Sequence, residues 1–201
     1  MCKKLVKKLN YPKAVLNLKF SYDYAIRGLV VDKNKGNLLK LSRYGAIRMS
    51  RHGINKIDYP SQKRIYKSTY IDLGDTQYDA IDTSFSIAFA ALFAQLVDLK
   101  DNNPECSDLL DYDTIASDIN SVLDESHRDG SLKTVVRNNL ANYIVKDERT
   151  VKNIKRYLKH GKKFFIVTNS DFEYTKLLLD YAISPYLEPG ESWLDLFEYV
   201  I

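Results

Sequence analysis

At 201 residues with 45% hydrophobic content, the chain is long enough to bury a substantial core, as one large domain or two small ones. Its longest apolar stretch, Ile87–Ala94, falls far short of the roughly 20 residues that span a bilayer, so no membrane partner is expected. Thirty basic against 26 acidic residues leave a net charge of +4, spread along the chain apart from Lys3, Lys4, Lys7 and Lys8, and such dispersal argues against a nucleic-acid partner.

The N-terminus has basic residues without an apolar h-region or a small-residue cleavage site, so a cytoplasmic location is expected. Cys2 and Cys106 fit neither a disulfide framework nor a metal-ligand spacing and are expected as free thiols. Residues 3–10 predict an amphipathic helix that stops before Tyr11-Pro12, because proline disfavours helical geometry in its predecessor. From Arg27 to Ile54, short apolar runs alternate with the turn signals Asp32-Lys-Asn-Lys-Gly36 and Arg43-Tyr-Gly45, which predicts a β-meander. Asp82–Leu99 carries Phe85, Phe89, Leu92, Phe93, Leu96 and Val97 at helical spacing, with Asp82 or Thr83 as cap. Thr114–Asp124 and Leu132–Ile144 each present one apolar stripe, the second with Ser131 placed to cap it. Residues 58–146 therefore read as mainly helical. After Asp147 come a helix over 150–159 ending at Gly161, a buried strand Phe164–Val167 and a helix from about Asp171. A continuous apolar strand between helices predicts a parallel sheet covered on both faces.

Thr168-Asn-Ser-Asp171 follows the strand and precedes the helix, where open α/β sheets bind ligands and helix amides attract anions. The Thr168 hydroxyl and the Asn169 amide could each donate to a phosphate oxygen. Equally, Ser170 or Asp171 could serve as an N-cap and Thr168 as a strand end. Asn120, Asp124 and His127 fall at i, i+4 and i+7 on one helical stripe, with Lys133 shortly after the Asp129-Gly-Ser turn. That stripe is either a polar ligand face or a solvated one. Phe85 is either a base-stacking platform or core. His52, His127 and His160 form no metal-ligand pattern.

Arg27-Gly-Leu-Val-Val-Asp-Lys-Asn-Lys-Gly-Asn-Leu-Leu-Lys40, Gly130-Ser-Leu-Lys133 with Asn139–Asp147, and Thr168-Asn-Ser-Asp-Phe-Glu-Tyr-Thr175 together resemble the cytosolic purine 5′-nucleotidase family of the haloacid-dehalogenase (HAD) type. The resemblance implies an α/β fold with HAD-like, Rossmann-type parallel-sheet core segments, at 1–57 and 147–201, and an inserted mainly helical cap at 58–146. It implies hydrolysis of purine nucleoside 5′-monophosphates such as IMP and GMP, with Mg²⁺, through an aspartyl-phosphate. It assigns Thr168 and Asn169 to the transferring phosphoryl group and aligns Phe85, Asp124, His127 and Lys133 with pocket-lining cap residues. Asn120 stands where the purine enzymes have arginine, and Arg128 where they have tyrosine, so Arg128 is a candidate replacement for the lost charge. The family's D-x-D-x-T nucleophile motif, its later lysine and its metal-binding aspartates are not matched. Asp23, in Phe20-Ser-Tyr-Asp-Tyr-Ala, lacks the first Asp and the Thr and is not the nucleophile. The expectation is an incomplete nucleotidase, inactive alone, with its Mg²⁺ ligands elsewhere and with homo-oligomerisation left open. The competing expectation is a non-catalytic nucleotide-binding or subunit-interaction module.

Overall fold

A computed structural model describes residues 1–21, 23–67, 70–84, 86–106 and 111–201. They form two compact units, Met1–Ser126 and His127–Ile201.

The first unit opens with helix α1 (Cys2–Lys8), then strands β1 (Leu29–Asp32), β2 (Asn37–Leu41), β3 (Ile47–His52) and β4 (Asn55–Ile57). Helix α2 (Tyr59–Ile65), strand β5 (Tyr78–Ala80) and helices α3 (Ile87–Asn102) and α4 (Tyr112–Arg128) follow, the last two residues of α4 falling in the second unit. The strands make one sheet in the order β4-β3-β2-β1-β5, antiparallel at every pairing. The meander expected over Arg27–Ile54 is present. Its links are too short for the crossover that a parallel neighbour requires, so successive strands must fold back as hairpins.

Two expectations are corrected here. Tyr78–Ala80, inside the stretch read as mainly helical, is a strand that pairs with Val30–Asp32 and adds an edge to the sheet. Helix α3 starts at Ile87 with Ser86 as N-cap, and neither Asp82 nor Thr83 caps it. Thr83 instead ties the preceding turn, its Oγ1 accepting from the Ser86 amide at 3.2 Å.

Helix α3 is apolar nearly all round, as a helix in the middle of a core must be: Phe89 to Ala94, Leu96 and Val97 are buried. Leu5, Val15, Val31, Leu38, Ile115, Ile119 and Val122 complete the same core. The alanines let the β3–β4 turn come close. At Gly53 (φ +53°) a Cβ would sit 3.1 Å from the Ala94 carbonyl oxygen and 3.0 Å from the Asp98 amide, so this position needs glycine for both conformation and space. Beneath β1 and β2 lies a buried polar network, in which Tyr66 donates to Asp32 Oδ2 at 2.6 Å while accepting from Asn37 Nδ2 at 2.8 Å. These bonds allow Asp32 and Asn37 to be fully buried.

The second unit holds helices α5 (Ser131–Asn138), α6 (Leu140–Tyr143) and α7 (Glu148–Lys159), strand β6 (Phe165–Ile166), helix α8 (Phe172–Ala182) and strand β7 (Tyr199–Val200). The single helix expected over Leu132–Ile144 is broken at Asn139, whose backbone (φ −152°, ψ 64°) leaves the helical region. Ser131 is inside α5 rather than its cap. Gly130 holds the cap position with φ +71°, and the Asp129 side chain accepts from the Ser131 amide.

Strand β6 pairs in parallel with β7, Phe165 opposite Tyr199 and Ile166 opposite Val200. This pair is the parallel sheet of the described residues, and the larger sheet is antiparallel throughout, so a full Rossmann-type core is not what they form. Nor is β6 buried on both faces. Ile166 and Val200 pack on Val151, Ile183, Trp193 and Leu196, whereas Phe165 is 64% and Val167 70% exposed. Trp193 Nε1 donates to Asp180 Oδ1 at 2.8 Å, fastening α8 to the turn that leads into β7. No helix among the described residues is long and apolar enough to cross a membrane.

Candidate functional site

The parallel pair fixes the end of β6. The Thr168 amide donates to the Ile201 carbonyl at 2.8 Å, so Thr168 sits at the carboxyl edge of the strand. Its Oγ1 then accepts from the Ser170 amide at 3.0 Å, closing the turn into α8. That bond uses the hydroxyl as an acceptor and leaves its proton available to a ligand. Asn169 is exposed and makes no hydrogen bond among the described residues. Of the two cap candidates it is Asp171 that caps α8, its Oδ1 accepting from the Tyr174 amide at 2.8 Å. Thr168 thus serves as strand end and turn residue, with a donor to spare.

Lys133 reaches this turn from α5. Its Nζ donates to Asp171 Oδ2 at 2.6 Å and stands 5.0 Å from the Tyr174 ring centroid. The ammonium bond first, then the Tyr174 amide, pulls the Asp171 carboxyl down from its ordinary 3.8 to about 2. A carboxyl depressed in the folded state supports the cap fully above its unfolded value and loses that support as pH falls through the folded one. The Tyr174 amide resonance should therefore titrate with a midpoint of about 2. In Lys133→Gln the midpoint should rise toward the ordinary carboxyl value, and an unchanged midpoint would show that the ammonium does not hold Asp171.

Asn120 and Asp124 line a cavity of about 290 Å³ in the first unit, together with Asp79, Ser86, Phe89 and Leu123. Their stripe on α4 thus faces a concave surface. His127, next on that stripe, is half-buried in the last turn of α4, and Arg128 is exposed at its end. Phe85 lies outside the described residues. Asp23 lines a separate cavity of about 480 Å³ with Arg51 and Asp98. Among the described residues, no three His, Cys, Asp or Glu side chains are grouped to hold a metal ion. What the residues at the Thr168 turn offer a ligand is a hydroxyl donor and, from Lys133, a cation.

Sequence reasoning missed Asp171 as a partner of Lys133, and it missed Arg137 and Tyr174 altogether. Arg137 Nη2 lies 3.7 Å from Asp171 Oδ1, with its guanidinium carbon 5.3 Å from the Tyr174 ring centroid. The i, i+4 spacing of Lys133 and Arg137 put them on one helix face and was the available signal.

A profile of the 5′ nucleotidase family matches residues 1–201, the whole chain. The chain belongs to the 5′-nucleotidase family. It is similar to a 5′-nucleotidase domain-containing protein of Dictyostelium discoideum, at 27% identity over 98% of this chain and 34% of that protein. It is also similar to 5′-nucleotidase domain-containing protein 1 of Homo sapiens, at 26% identity over 98% of this chain and 45% of that protein. This 5′-nucleotidase family chain thus spans less than half the length of both relatives. The turn at Thr168 and the cavity beside Asn120 both lie within the matched span.

Proposed function

We propose that the chain is the part of a 5′-nucleotidase that carries the cap and the phosphate-holding turn, and that the complete enzyme hydrolyses purine nucleoside 5′-monophosphates such as IMP and GMP. The observation that carries this reading is the Thr168–Asp171 turn, placed at the carboxyl end of a parallel strand with Lys133 beside it. Phosphoryl transfer asks a protein mainly for positioning and for charge around the phosphoryl oxygens. Here Thr168 offers a hydroxyl donor, Asn169 an open amide and Lys133 a cation. In the proposal, residues 58–146 act as the cap. The reaction is of the HAD type: an aspartate attacks phosphorus, the nucleoside 5′-oxygen leaves, and water releases phosphate from the acyl-phosphate. That aspartate is not among the candidates here, and Mg²⁺, when bound elsewhere in the enzyme, supplies charge neutralisation at the phosphoryl group.

The chain alone should therefore release no phosphate from IMP or GMP in the presence of Mg²⁺. Turnover above background that disappears in Asp23→Asn would relocate the nucleophile to the Asp23 cavity and overturn this division of roles.

A further inference from the structure

Lys133 and Arg137 are successive turns of the same face of α5, and both converge on a single carboxylate. Lys133 Nζ is 2.6 Å from Asp171 Oδ2 and Arg137 Nη2 is 3.7 Å from Asp171 Oδ1. Beneath them the Tyr174 ring, almost wholly buried, lies within cation–π range of both, 5.0 Å from the ammonium and 5.3 Å from the guanidinium carbon. The ring therefore still attracts both cations when the carboxylate is neutralised. The cluster has two positive charges and one negative, three residues from Thr168, and about half of the Asp171 side chain is open to solvent. A carboxylate offers two oxygens and one charge, whereas a phosphate monoester dianion offers three oxygens and nearly two charges, matching the full donor set of a guanidinium and an ammonium.

We propose that Lys133 and Arg137 form a two-cation clamp for the phosphate of the substrate, and that Asp171 is its built-in competitor, occupying the clamp until a phosphate monoester displaces it. Arg137 is thereby a substrate-binding residue, and Asp171 sets the affinity threshold while its second oxygen goes on capping α8. This rests on the nucleotidase reading for the identity of the ligand, while the clamp itself rests on the α5–α8 geometry.

Inorganic phosphate titrated into the purified chain, followed through amide resonances of residues 168–174, tests it. Asp171→Asn keeps an effective N-cap but removes the competing charge, so phosphate affinity should rise roughly two- to fivefold, the scale on which an exposed ion pair contributes. Arg137→Gln, which leaves the cap untouched, should weaken binding by a similar factor. It should do so also when combined with Asp171→Asn, and added salt should compress all of these differences. An Asp171→Asn affinity equal to or lower than that of the parent, an Arg137→Gln affinity unchanged, or no phosphate binding by either Asp171 form would overturn the clamp. The two readings separate cleanly. If Asp171→Asn tightens binding while Thr168→Val keeps full turnover in the extended enzyme, the clamp stands and the phosphate role of Thr168 falls. If Thr168→Val loses turnover in the extended enzyme while Asp171→Asn leaves phosphate binding unchanged, the clamp falls and the role of Thr168 stands.

Discussion

Thr168→Val should lower turnover roughly 10²–10³-fold, in a form of the protein extended to carry the D-x-D-x-T motif and the later lysine and aspartates, which is the scale for losing one preorganised donor to a developing oxyanion. The reasoning starts from the hydroxyl's two roles. As an acceptor it holds the Ser170 amide at 3.0 Å, and as a donor its proton is left to a phosphoryl oxygen. Valine keeps the branched shape and removes both. Loss of the turn bond alone should cost about 0.5–1.5 kcal/mol of stability, visible as a small drop in the unfolding midpoint. Loss of the donor should appear in kcat rather than in KM if the bond strengthens as charge builds in the transition state. Thr168→Ser retains the hydroxyl and should keep most of the activity. Near-full turnover in the valine form, or a deficit shared equally by the serine form, would reduce Thr168 to a strand-end residue.

The strand-to-helix junction at Thr168 could be read from sequence because its signals are local: an apolar run, a polar turn, and an aspartate three residues before the tyrosine whose amide it caps. The meander was legible for the same reason, its turns being written in Asp32–Gly36 and Arg43–Gly45. Strand β5 was not, since the three residues Tyr78-Asp-Ala80 are too short a run for alternation to mark a strand, and they become one only by pairing with Val30–Asp32, some 50 residues away in the chain. The expected burial of Phe164–Val167 assumed a covered parallel sheet, and β6 has one neighbour and one packed face among the described residues. In α5 and α6 the apolar stripe was real, yet Leu132 and Val135 are about half exposed and no residue of either helix is buried. Amphipathic spacing states which residues share a face and not what covers it. The Lys133–Arg137–Asp171 cluster was invisible in the same way: α5 and α8 are joined by more than 30 residues, and only tertiary placement brings their side chains together.

Phe93→Ala should destabilise the first unit by about 3–5 kcal/mol, the usual cost of removing a buried phenyl ring and leaving its cavity. Phe93 is fully buried in the middle of α3, its ring stacked near that of Phe89 with centroids 6.1 Å apart. Its neighbours on the helix are Ala90, Ala91, Ala94 and Leu96, and the alanines have no side-chain length with which to fill the space. The backbone has little room to close in, because the Gly53 turn comes near enough to α3 that an added Cβ there would meet the Asp98 amide at 3.0 Å and the Ala94 carbonyl oxygen at 3.1 Å. The hole should thus persist, placing the cost in the upper part of the range. Phe93→Leu, which retains most of the volume, should cost markedly less. Amide hydrogen exchange along α3 is the suitable measurement, because it reads the stability of this unit without the signal of the second, whose own core contains the chain's single tryptophan, Trp193. A loss below about 1 kcal/mol would mean that the alanines and the sheet relax into the gap, against the tight packing inferred from Gly53.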